Sequence, residues 1–183
     1  MSLKFAILAA LQSQPQSGYE IARGFDRGIG YFWQATHQQI YRELGKMGED
    51  LLVAFKEIPQ TGRPAKKIYR LTPTGRKVLK KWLNEPAQET ILKDELLVKL
   101  YAGDLGDPAA LLEEVRRHHE QYVDRLAEYH AIEQRYFSDA TALKRRHQFM
   151  YLTLRRGILT SQARIAWSSE VIAFLEAEHR RAA

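Results

Sequence analysis

Thr36-His37-Gln38-Gln39-Ile40-Tyr41-Arg42-Glu43-Leu44-Gly45-Lys46-Met47-Gly48, then Leu51-Leu52-Val53-Ala54-Phe55-Lys56-Glu57-Ile58, is the stretch where the chain changes period. In the first block Thr36 and Gln39 form a capping box: hydroxyl and carboxamide each satisfy a backbone donor at a helix start. Ile40, Leu44 and Met47 follow at i, i+4 and i+7, the stripe of a helix predicted to run to Met47 or Gly48. At about 100° per residue the opposite face carries Gln38, Arg42, Gly45 and Glu49, flanked by Gln39, Tyr41 and Lys46. The second block is β-branched and aromatic, the composition of a strand. Lys67-Ile68-Tyr69-Arg70-Leu71 supplies another. Pro59-Gln60-Thr61-Gly62-Arg63-Pro64-Ala65-Lys66 lies between them and predicts a hairpin loop with a basic tip.

Upstream, Leu3, Ile7, Leu8 and Leu11 mark a short amphipathic helix that stops at a loop over Ser13–Gln16. Ser17-Gly18-Tyr19-Glu20 is a further capping box. Tyr19, Ile21, Ala22 and Phe25 form the inner side of the helix it opens, and Gly28 and Gly30 end it. Downstream, Thr72-Pro73 reads as N-cap and first helical position. Val78, Leu79, Trp82 and Leu83 are the inner side of that helix, which stops at Asn84-Glu85-Pro86. Three helices, a basic hairpin and a fourth helix make a winged helix-turn-helix over residues 1–86, with Pro59 to Lys66 as the wing.

Residues 87–183 read as entirely helical, an expected dimerisation domain. Ile91, Leu92, Leu96, Leu97, Leu100 and Tyr101 mark a short helix closed by Gly103 to Gly106. Asp107-Pro108 opens a helix to about residue 137, with a seam in steps of 3 and 4 at Leu112, Val115, His119, Tyr122, Leu126, Tyr129, Glu133 and Tyr136. A last helix, from about Ala140 to His179, repeats the spacing at Tyr151, Leu154, Ile158, Ser161, Ile165, Ser168, Ile172 and Leu175. Two such seams are more than one small helix hairpin is expected to bury, so a homodimer is predicted; a hairpin closed within one chain and packed on the winged helix is the alternative. The fold class is therefore mostly α with a small β-hairpin wing, an N-terminal winged helix-turn-helix followed by long dimerisation helices.

Charge follows the same division. The 183 residues carry a net +6 and 45% hydrophobic residues. Residues 1–86 hold 14 Lys/Arg against 7 Asp/Glu, and residues 87–183 hold 14 against 15. Clustered Lys and Arg in one half are what phosphate affinity requires, although a solvated surface carries such charge too. Cysteine is absent, which excludes disulfides, thiolate metal sites and a cysteine nucleophile. The start lacks a signal-peptide pattern and no apolar run reaches the roughly 18–20 residues of a membrane span, so a cytoplasmic protein without membrane contact is expected. His118 and His119 are adjacent and point about 100° apart on a helix. No metal, cofactor or catalytic constellation is predicted, hence no enzyme.

Trp33-Gln34-Ala35-Thr36-His37-Gln38-Gln39-Ile40-Tyr41-Arg42-Glu43-Leu44, Gly62-Arg63-Pro64 and Tyr69-Arg70-Leu71-Thr72-Pro73-Thr74-Gly75-Arg76, running into Trp82-Leu83-Asn84-Glu85-Pro86, together resemble the PadR-like transcriptional regulators. The second half is similar to the virulence-activator subclass with its large helical dimerisation region. The resemblance spans essentially the whole chain and implies a transcriptional regulator, a repressor by family habit. The chain departs at one point: the family usually has glycine directly before the first wing strand, where this sequence has Leu51.

Gln38, Gln39 and Arg42 are the candidate base-edge readers, since Gln pairs bidentately with adenine and Arg with guanine in the major groove. Tyr41 and Lys46 flank them, Tyr41 as a phosphate contact or, alternatively, a packing residue. Arg63, Lys66 and Lys67 are the candidate wing contacts to phosphate or the minor groove. The partner expected is double-stranded DNA carrying an inverted repeat. In some members of the family aromatics near the dimer interface bind planar phenolic compounds, which makes Trp167, Tyr151 and Tyr122 candidates for a small aromatic effector; interface packing is the plainer role. A winged-helix module that contacts protein instead of DNA is the alternative, and it would place apolar residues on the outer face of helix 36–48.

Overall fold

The computed structural model describes residues 3–27, 35–87, 93–139 and 143–182. They divide into two compact units, Met1–Thr90 and Ile91–Ala183. Helix ends assigned to Gly28 and Gly30, the aromatic Trp33, Ile91 and Leu92, and a helix start at Ala140 fall outside the described residues.

The first unit contains α1 (Leu3–Ala10), β1 (Gln16–Ser17), α2 (Gly18–Arg27), α3 (His37–Glu49), β2 (Val53–Gln60), β3 (Arg63–Leu71) and α4 (Pro73–Leu83). Its core is Ile7, Leu8 and Leu11 from α1 and the turn after it, Ile21, Ala22 and Phe25 from α2, and Ile40, Leu44 and Met47 from α3, closed by Leu52, Val53, Tyr69 and Leu79. Each large aliphatic fully buried there contributes about 1.5–3 kcal/mol. Phe5 of α1 stacks on Trp82 of α4 with centroids 4.4 Å apart.

Both capping boxes form. At α2, the Glu20 N–H donates to Ser17 Oγ at 3.1 Å, and the Ser17 N–H donates to Glu20 Oε2 at 2.7 Å. At α3, Thr36 Oγ1 accepts from the Gln39 N–H at 3.2 Å and Gln39 Oε1 accepts from the Thr36 N–H at 2.9 Å. Thr72 caps α4 by accepting from the Gly75 N–H at 3.0 Å, and its own hydroxyl points at the carbonyls of Leu51 and Leu52. This lashes α4 to the corner between α3 and β2. The corner is so close that a Cβ on Gly75 would collide with the Leu52 carbonyl oxygen.

The sheet has order β1-β3-β2 and is antiparallel throughout. Two expectations change here. Gln16-Ser17, read as loop and helix cap, also add a short strand to β3, pairing with Tyr69 and Ile68. The wing loop is not Pro59 to Lys66. The strands continue to a Gln60–Arg63 pair, leaving Thr61-Gly62 as the turn, and Gly62 takes the left-handed φ of +69°. Pro59 and Pro64, which have no N–H to donate, occupy an irregularity beyond the Ile58–Lys66 pair, where β3 carries one more residue than β2. Prolines that read as breakers are absorbed by a bulge.

The second unit contains α5 (Glu95–Tyr101), a 3₁₀ turn (Gly103–Leu105), α6 (Pro108–Tyr136) and α7 (Arg145–Ala182). Asp94 and Asp107 cap α5 and α6 through the N–H groups of Leu96 and Ala109. The two predicted seams meet each other within one chain. Leu112, Val115 and Tyr129 from α6, and Leu154, Ile158, Ser161, Ser168 and Leu175 from α7, are all buried. The hairpin thus closes within one chain over half of the sixteen seam positions, while Tyr136 stays exposed. Small residues make it possible: Gly157 faces the Tyr129 ring, which would stand 2.9 Å from any added Cβ. Polar residues on the seams pair across it, as His119 Nδ1 with Ser168 Oγ at 2.8 Å and the Tyr151 hydroxyl with Glu133 Oε1 at 2.9 Å.

Candidate nucleic-acid interface

Burial of Ile40, Leu44 and Met47, each fully inaccessible, fixes the rotation of α3 about its axis. Gln38, Arg42, Gly45 and Glu49 are thereby exposed on the outer face, as the spacing predicts, and the flanking Lys46 is exposed beside them. The first turn of α3 contains no acidic residue, so the positive end of the helix dipole is left unneutralised. Arg42 and Lys46 form no ion pair among the described residues. Gly45 is exposed, and an added Cβ would meet nothing within 4 Å. Packing inside the unit therefore does not call for glycine, although a helical glycine costs about 1 kcal/mol relative to alanine.

Gln39 and Tyr41 have work inside the unit. Gln39 spends its carboxamide oxygen on the α3 cap. The Tyr41 ring lies so close to Gly18, at the start of α2, that any side chain there would meet its Cε1, while 47% of the residue stays exposed. Burial first, and the neighbouring Tyr41 second, push the Tyr69 hydroxyl above its ordinary pKa.

On the wing, Arg63 opens β3 opposite Gln60. Lys66 and Lys67 are both held by carboxylates. Lys66 Nζ is 3.5 Å from Glu20 Oε1 on α2. Lys67 Nζ is 3.5 Å from Glu57 Oε1 on the facing strand and 4.4 Å from the Phe55 ring centre. Lys56 and Arg70 are exposed and have no acidic partner among the described residues. Strand alternation carries the signal for them. Arg70 pairs with Ala54 and Lys56 with Ile68, which puts both basic side chains on the face opposite Phe55 and Tyr69.

The three effector candidates do not share one pocket. Trp167 packs with Leu96, Leu112, Val115 and Leu175. Tyr122 lies against His118, with the Arg164 guanidinium 5.3 Å from its ring centre. Tyr151 is sixteen residues from Trp167, about 24 Å along α7, where its ring meets Phe137. Its hydroxyl holds the Glu133 carboxyl below the usual carboxylate range, and Glu133 in turn raises the Tyr151 phenol. A cleft of about 480 Å³ in this unit is lined by charged residues, including Glu113, Arg116, Glu176 and Arg180, and by none of the three aromatics.

Residues 7–81 match the PadR-like family of transcriptional regulators, and residues 92–176 match the region described as virulence activator alpha C-term. A probable transcriptional regulator of Mycobacterium tuberculosis is 42% identical over 96% of this chain and 98% of its own. The chain belongs to the PadR-like family. The structure of the Vibrio cholerae virulence activator AphA is similar over 97% of this chain and 99% of its own, at 35% identity and a TM-score of 0.79. Bacillus subtilis PadR in complex with operator DNA has a TM-score of 0.79 at 27% identity, over 94% of this chain and 98% of that one. The same protein in complex with p-coumaric acid has a TM-score of 0.74 at 26% identity, over 95% of each chain.

In this PadR-like chain the departure at Leu51 has a structural counterpart. Leu51 takes a φ of 56°, the left-handed conformation that glycine adopts most readily. Its N–H donates to the Gly48 carbonyl at 3.0 Å, and the Leu52 N–H donates to the Met47 carbonyl at 2.9 Å. This is a Schellman end to α3, with leucine where such ends usually have glycine. Among the described residues no three His, Asp or Glu side chains gather as a metal site, and no helix is long and apolar enough to cross a membrane.

Proposed function

We propose that the chain is a homodimeric, sequence-specific DNA-binding repressor of the cytoplasm, with residues 1–86 binding DNA and residues 87–183 assembling the dimer. The observation that carries this is the outer face of α3. It offers Gln38, Arg42 and Lys46 around an unoccupied Gly45, with the acidic Glu49 only at its far end, on a helix whose start carries no acid. That combination suits entry into the major groove, with Gln38 and Arg42 on base edges and Lys46 and the wing on phosphates. A protein-docking face would be apolar at these positions.

Assembly has a second support. With the seams used inside the hairpin, Leu152, Leu159, Ala166 and Ala173 still recur every seven residues along α7 and are exposed, next to Phe149 and Phe174. A two-fold pairing through this row would present two α3 helices to an inverted-repeat operator. The deciding experiment is selection of bound sequences from a random duplex library by the full chain at stated salt. An inverted repeat is expected, and Gln38→Ala should relax preference at one base pair of each half-site by about 1–3 kcal/mol. Recovery of no enriched sequence refutes the reading.

The p-coumaric acid complex of Bacillus subtilis PadR supports a finer proposal, that a small planar aromatic compound binds this chain and relieves repression. In this chain such a compound would meet Trp167 with Tyr122, or Tyr151, in separate layers of the α6–α7 hairpin. Quenching of Trp167 fluorescence together with weakened operator binding tests it, and a Trp167→Phe variant identifies the source of the quench. Binding that leaves operator affinity unchanged rejects it.

A further inference from the structure

The two capping boxes use different chemistry at the same position. At α3 the third residue after the cap is the neutral Gln39, and at α2 it is the anionic Glu20. Glu20 does more than cap. One carboxylate oxygen accepts from the Ser17 N–H at 2.7 Å, and the other faces Lys66 Nζ of the wing at 3.5 Å. Forty-six residues separate Glu20 from Lys66, so this contact exists only in the folded wing. On the other face of the hairpin Glu57 stands opposite Lys67 in register and meets its ammonium, also at 3.5 Å. Each of these wing lysines therefore comes with a carboxylate from the same unit, whereas Lys56, Arg70, Arg42 and Lys46 have none among the described residues.

We infer that Glu20 and Glu57 are specificity-setting residues: they hold Lys66 and Lys67 in charge-balanced pairs, so that these two lysines add little sequence-independent attraction for DNA. The inference rests on the DNA-binding reading above. Its physical basis is that a lysine already facing a carboxylate gains less from a phosphate and brings fewer counterions off the duplex. Exposed pairs of this kind contribute little to folding stability, so their effect is read at the phosphate backbone. What they lower is non-specific affinity, which leaves the exposed face of α3 a larger share of the total.

The test is a double-mutant cycle on the full chain, read as the salt dependence of binding to a random-sequence duplex. Glu20→Gln is suited to it because glutamine fills that same place in the α3 box, so the α2 cap survives and only the charge is lost; thermal unfolding checks this. Glu20→Gln should tighten non-specific binding several-fold at low salt and steepen the slope of log K against log salt by about 0.9, one additional phosphate contact. Lys66→Gln should cost clearly more in the Glu20→Gln background than in the wild type, because only there is the lysine fully available. Glu57→Gln and Lys67→Gln should repeat the pattern independently. An equal cost of Lys66→Gln in both backgrounds, or an unchanged slope while the wild type binds the duplex, overturns the inference alone. A wild type that binds no duplex at any salt overturns the DNA reading, and this inference with it.

Discussion

The two units solve the burial problem in opposite ways. In the first, large aliphatic side chains point inward from four helices and a sheet, and among its described residues Ser17 is the one fully buried polar residue. In the second, the interior of a two-helix hairpin is filled partly by Ser161, Ser168, His119, Glu133 and tyrosines, while Leu152, Leu159, Phe149 and Phe174 remain outside. A two-layer helix pair has little inside to offer, so its hydrophobic residues accumulate on the surface. The first unit closes a complete core of its own; the second leaves an apolar row exposed along α7.

The largest expected effect attacks that completeness. Gly75→Ala drives a methyl group into the Leu52 carbonyl and should cost the first unit about 3 kcal/mol, at the upper end for overpacking. Calorimetry should show the loss in one unit only, and equal destabilisation of both would erase the distinction between them. Next comes the cover on the second unit. Leu159→Glu puts a charge on the exposed row of α7 and should cost the dimer about 2 kcal/mol, the worth of one buried leucine. Light scattering should then show mass shifting toward one chain, and a dilution series with no shift would mean the row is simply wet.

Leu51→Gly is expected to act the other way. It relieves a left-handed leucine that is 70% exposed, so little burial is lost, and the first unit should gain about 1 kcal/mol. Chemical denaturation measures it, and no gain would mean that the leucine side chain stabilises the α3 end in some other way. The smallest effect is a pH dependence in the second unit. The Tyr151 hydroxyl holds Glu133 below the usual carboxylate range, with His130 and Arg155 also facing it. Its contribution is therefore full above that range and is lost as pH falls through it. Tyr151 is raised, so its contribution is full below the ordinary phenol pKa and is lost as pH rises through the raised value. Glu133→Gln should flatten the acid side of the stability profile, and an unchanged profile would mean that the hydrogen bond is not maintained in solution.

Local features were the most legible in the sequence. The cap at Thr36 and the stripe through Ile40, Leu44 and Met47 need only a few neighbouring residues, and they fix which face of α3 is exposed. β1 was not legible, because two residues have no periodicity; Gln16-Ser17 become a strand only when β3 arrives beside them. The length of the wing was misread because Pro59 and Pro64 suggest breaks, and a bulge is a two-strand property that neither strand announces alone. The seams of α6 and α7 were visible as seams, but a heptad spacing says that a helix will be met and not which one. Within the candidate site, exposure of Gln38 and Arg42 follows from periodicity. The carboxylates facing Lys66 and Lys67 do not, since Glu20 is brought in by the fold.

The wing is also a cantilever. It is clamped at Val53 and Tyr69, which are buried, while β2 beyond Ala54 is exposed all the way to Gln60. β1 extends the clamp to Ile68, opposite Lys56. At about 3.3 Å per residue the free arm from there to Gln60 is roughly 13 Å long, so a rotation of about 10° at the clamp swings the tip by about 2 Å. That is enough to make or break a hydrogen bond. Small repacking around Tyr69 is therefore magnified at Thr61-Gly62, and a conservative core substitution there can change what the tip reaches without touching a single exposed residue.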